Sequence, residues 1–124
     1  MTSVVAMTLA CAVGLTAAGP AMAAVPVELW RTGDDGLTVR AFDALEKAFG
    51  DAPDFSLARS GEGAVKVEIT NHLRSDAALH TTAPYAISRA GAAPLVGEAA
   101  CTEATLPVCA DTIVSATRKS LKNR

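Results

Sequence analysis

No Asp, Glu, Lys or Arg occurs before Glu28, so the first fifth of this 124-residue chain must be judged apart from the rest. From Val4 to Ala18 it runs VVAMTLACAVGLTAA, Gly19-Pro20 then breaks any helix, and Ala21-Met22-Ala23 has the small-x-small pattern of a signal-peptidase site. An apolar run of roughly 7–15 residues fits a secretory signal, whereas a spanning helix needs about 20. Residues 1–23 therefore read as a signal peptide cleaved after Ala23, although only the Met1 amino group supplies its positive charge. Cys11 lies inside the apolar run, without the Leu three positions before it that a lipidation site favours. What remains, residues 24–124, is the size of one small domain.

The composition agrees once it is divided. Half of the residues are hydrophobic, but 26 are alanine, so the figure is no membrane signature. A net charge of −2 argues against nucleic acid, which needs a concentrated basic face. Removing the leader leaves two cysteines, Cys101 and Cys109, and an even number in an oxidising compartment predicts a disulfide. Their spacing is neither that of a redox C-x-x-C motif nor that of a zinc knuckle. Export predicts a periplasmic or secreted location.

Val25–Arg31 reads as a strand, with Pro26 suggesting an edge. Leu37, Ala41, Leu45, Ala48 and Phe49 have the spacing of an amphipathic helix, for which Thr38 would be the N-cap and Gly50 the stop. Asp54–Ser60 alternates, and Val65, Val67 and Ile69 point one way while Lys66, Glu68 and Thr70 point the other. These two runs are expected to form a hairpin about the Ser60-Gly61-Glu62-Gly63 turn. Ala83–Arg89 and a short Leu95-Val96 strand follow, and Val108, Cys109, Ile113, Ala116 and Leu121 return to helical spacing. The expected fold is α+β, a small antiparallel β-meander in β-α-β-β-β-β-α order with two helices packed on one face.

Candidate chemistry is sparse. His72 and His80, with Asp76 between them, could clamp a metal, but eight residues is not a usual ligand spacing. Asp34-Asp35-Gly36 and Asp43 lack the register of a calcium loop and suit a turn before a helix. No G-x-S-x-G elbow occurs, so no catalytic residue is assigned, and nothing in the sequence requires a cofactor. Trp30 and Tyr85 are candidates to line a peptide-binding groove. Arg118, Lys119, Lys122 and Arg124 offset the negative pole of the last helix, with weak contact to an anionic surface as the alternative.

The D-D-G-L-T-x-R entry to the first helix, the F-x-L and V-x-V-E-I-T strands and the C-x7-C pair resemble short uncharacterised proteobacterial periplasmic proteins. The order of elements is also similar to that of small accessory domains in outer-membrane lipoprotein regulators and export-apparatus proteins. Both resemblances imply a binding or assembly role in the envelope; export, the cysteine pair, an antiparallel sheet and the absence of catalytic motifs then favour a noncatalytic protein that contacts an envelope partner through its sheet. The alternative is a small metal-handling protein or hydrolase using His72 and His80.

Overall fold

The computed structural model describes residues 23–122, so the leading apolar segment and Arg124 lie outside the described residues. Strands β1 (Val25–Arg31), β2 (Phe55–Leu57), β3 (Val65–Ile69), β4 (Arg74–Ser75), β5 (His80–Arg89) and β6 (Leu95–Thr102) form one mixed sheet. Helix α1 (Gly36–Asp51) joins β1 to β2, and α2 (Leu106–Lys122) follows β6 through a single 3-10 turn. The α+β class is as expected. Val27, Val67, Ile69, Ile87 and Ala99 from the sheet share one core with Leu45, Phe49 and Ile113 from the helices, so both helices lie on the same face.

The sheet is not a pure antiparallel meander, and the expected hairpin between β2 and β3 does not form. Both strands instead flank β1 in parallel, with Val27 opposite Leu57 on one side and Val65 on the other. Side-chain alternation tells which face a residue occupies but not which strand lies beside it. Here α1 returns the chain parallel to β1, and residues 58–64 carry it across β1 to the far side. The remaining ladders, β3 with β5 and β5 with β4 and β6, are antiparallel.

Pro26 accordingly sits in an interior strand and not on an edge. Val25 N–H and Val27 C=O bond on the β2 side, to Asp54 and Ala58, at 3.0 and 2.8 Å. The Pro26 nitrogen faces the other way, where the β3 ladder begins only at Val27, so no sheet hydrogen bond is lost.

Glu28 holds the crossing segment. On the face away from the helices its Oε1 accepts from the N–H groups of Gly61 (2.8 Å) and Gly63 (3.2 Å), and its Oε2 accepts from the Trp30 indole. A Cβ at Gly63 would stand 2.6 Å from Glu28 Cβ and 2.8 Å from its backbone nitrogen, so only glycine lets the crossover come this close.

Four ends differ from the sequence reading. Asp35, not Thr38, caps α1, accepting from Thr38 N–H at 3.2 Å and from its hydroxyl at 2.8 Å. Thr38 is fully buried and its Oγ1 also accepts from Leu73 N–H at 3.1 Å. Gly50 stays helical, and α1 ends at Ala52, whose extended backbone follows from the restriction that Pro53 places on the residue before it. Strand β5 starts at His80 because Thr81 and Thr82 pair with β4, and β6 runs on to Thr102 against them.

Candidate functional site

Among the described residues, the two helices roof the sheet face beneath them only in part. Helix α1 packs beside α2, and α2 turns Leu106, Ala110, Ile113, Val114 and Thr117 into the core. A second stripe of α2, Val108, Thr112, Ser115, Ala116 and Lys119, faces outward at helical spacing. It forms one wall of a groove of about 950 Å³, whose floor is Tyr85 and Ile87 of β5 with Leu95 of β6. Gly97 makes this floor possible, since a Cβ there would lie 2.6 Å from the Tyr85 hydroxyl.

Beside the groove runs an edge. Among the described residues β6 pairs only with β5, which leaves the outer side of Leu95–Thr102 without a strand neighbour. Leu95 and Val96 are 43% and 72% exposed, and the strand carries neither Lys nor Pro, the residues that commonly protect an edge. The opposite edge strand, β2, has three residues.

The disulfide joins Cys101 near the end of β6 to Cys109 in the first turns of α2, with Cα atoms 5.3 Å apart. It clamps the helix to the sheet at one end of the groove.

Trp30 and Tyr85 do not share a surface. Trp30 pairs in register with Glu68 on the face away from the helices, whereas Tyr85 pairs with Ile69 on the helix face. The Trp30 ring is 38% exposed, and Lys66 Nζ lies over it at 4.9 Å. Only Tyr85 lines the groove. Val108, assigned from spacing to the buried stripe, is half exposed there instead. The groove wall escaped sequence reasoning because Thr112 and Ser115 are neither apolar nor charged, so the stripe has no hydropathy signal.

The histidines serve separate turns. His72 Nδ1 lies 2.6 Å from Asp35 at the start of α1, while His80 Nδ1 lies 3.1 Å from Asp76. Asp76 also accepts from the N–H groups of Ala78 and His80, closing a turn in which Leu79 has φ of 64°. Among the described residues no three His, Cys, Asp or Glu side chains come together as a metal site. Arg118 is held by Asp54 through two bonds of 2.7 and 3.0 Å, Lys119 lines the groove, and Lys122 is exposed. No described helix is long and apolar enough to cross a membrane.

Four carboxyl groups are held below their ordinary range: Glu28 mainly by the Trp30 N–H, Asp35 by His72, Asp54 by Arg118, and Asp76 by the backbone N–H of His80. A folded-state pKa below the unfolded value contributes stability above the unfolded value and loses it as pH falls through the folded one. The urea midpoint should thus be level near neutrality and decline below the ordinary values of 4.5 for Glu28 and 3.8 for the aspartates. Glu28→Gln should lower the neutral plateau and flatten the acid decline. An unchanged slope would mean that Glu28 does not hold the crossover.

No family model matches the chain, and no curated protein matches it.

Proposed function

We propose that this is a noncatalytic, exported binding protein of the cell envelope, which receives an extended segment of a partner protein along β6. The observation that carries this reading is the eight-residue β6 edge with exposed Leu95 and Val96, whose one charged residue, Glu98, is paired with Arg74 of β4 at 3.1 Å. Strand addition uses such an edge: main-chain hydrogen bonds supply affinity, and alternate side chains supply selectivity. Export to the periplasm is supported by the leading apolar segment with its Ala21-Met22-Ala23 site and by the Cys101–Cys109 disulfide.

The test is site-specific photo-crosslinking in the producing cell. A photoreactive residue at Val96 should give a discrete adduct with an envelope protein, while one at Leu57, an exposed position on the short opposite edge, should not. Equal labelling from both positions, or from neither, would refute the reading.

A further inference from the structure

We propose that the groove between α2 and the β5–β6 hairpin is a binding site for a long-chain carboxylate, on the helix face of the sheet and apart from the outer backbone of β6. The acyl chain would lie against Tyr85, Ile87, Leu95 and Val108, with the head group at Lys119.

The groove wall runs from Val108 to Ser120 on α2, about 18 Å at 1.5 Å per residue, which suits an extended chain better than a compact ligand. Its volume of about 950 Å³ falls within the roughly 300–1,000 Å³ range of small-molecule sites. Along this length the floor is apolar, while hydroxyls of Thr112, Ser115 and Ser120 occur on the helix side.

Charge then sets the polarity of the ligand. Helix α2 starts just beyond the Thr102 end of β6 and packs back along that strand, so its last turns lie at the hairpin end. The Arg118–Asp54 pair fixes this direction, because Asp54 bonds Val25 at the end of the sheet where Val65 faces Arg89. Lys119, exposed on α2, thus brings a positive charge to that end of the groove. Asp111 lies eight residues earlier on α2, about 12 Å toward the other end. A carboxylate is attracted at the Lys119 end and repelled near Asp111, so an anionic amphiphile binds in a single orientation and a cationic one of equal length meets the wrong charge.

Isothermal titration of the folded protein with dodecanoate, below its micelle-forming concentration, tests this. One saturable site is expected, with dodecyltrimethylammonium binding at least about tenfold more weakly, the ratio that one charge-assisted contact provides. Shortening the ligand to decanoate and octanoate should weaken binding by about two- to fourfold for each CH₂ removed. Lys119→Glu should cost about tenfold, and Val108→Glu should abolish saturation. Both positions are exposed, so the fold should tolerate either change. Val96→Glu, on the other face of β6, should bind dodecanoate as before. The proposal is overturned by an absence of saturable binding, by equal affinity for the two head groups, or by a loss at Val96→Glu matching that at Val108→Glu. Strand addition at β6 is judged separately by crosslinking at Val96, so the two readings can fail independently.

Discussion

Phe49→Ala is expected to destabilise the protein by about 3–5 kcal/mol, the cost of emptying a large aromatic site in a close-packed core. Phe49 is fully buried in the last turn of α1. Its ring meets Phe55 of β2 edge-on, with centroids 5.1 Å apart and planes at 82°. The Arg118 guanidinium covers the other partner, 5.7 Å from the Phe55 ring centre. One side chain therefore ties α1 to β2, and the charged pair Arg118–Asp54 extends that tie to α2. The void cannot collapse easily, because Leu45 on the preceding turn and Val27 on the sheet are themselves fully buried. For a domain with about 5–15 kcal/mol in total, the loss would leave little margin. Urea denaturation of both proteins measures it, and a change under about 1 kcal/mol would show that the Phe49 site repacks.

The second large effect is expected at the disulfide. Replacing both Cys101 and Cys109 by serine, or reducing the bond, should cost about 2–3 kcal/mol, since an open short loop gains entropy in the unfolded chain. For a chain of this size that corresponds to a melting temperature lower by about 10–20 °C. The bond also holds the start of α2 against the end of β6, and Cys109 is buried beside Ala110 and Ile113. Thermal melts with and without reductant provide the measurement. Coincident melts would mean that packing alone places α2, and that the cross-link acts on neither state.

Much of this architecture was legible residue by residue. Val65, Val67 and Ile69 alternate strictly and are all buried, as a half-buried strand requires. Ala41, Leu45 and Phe49 recur at helical spacing and form the buried stripe of α1. The site was less legible. Trp30 and Tyr85 looked like a pair because aromatic residues are good contact surfaces, yet the register sends them to opposite faces. The groove depends on Gly97 beneath Tyr85 and on small polar residues of α2, none of which has a distinctive local pattern.

The division follows the range of the forces involved. Period-two and period-3.6 patterns, the turn at Asp34-Asp35-Gly36 and, once the leading segment with Cys11 is set aside, the pairing of Cys101 with Cys109 depend on near neighbours or on chemistry with one available partner, and the sequence alone determined them. Strand neighbours depend on how α1 and the 58–64 segment route the chain, a choice between arrangements with similar local energies. Only the tertiary structure placed β2 and β3 on either side of β1, bent the crossover onto the Glu28 carboxylate, and left β6 and the adjoining groove uncovered by the described residues. The two described helices have too little width to roof the whole sheet, and the exposed remainder is where both proposed binding surfaces lie.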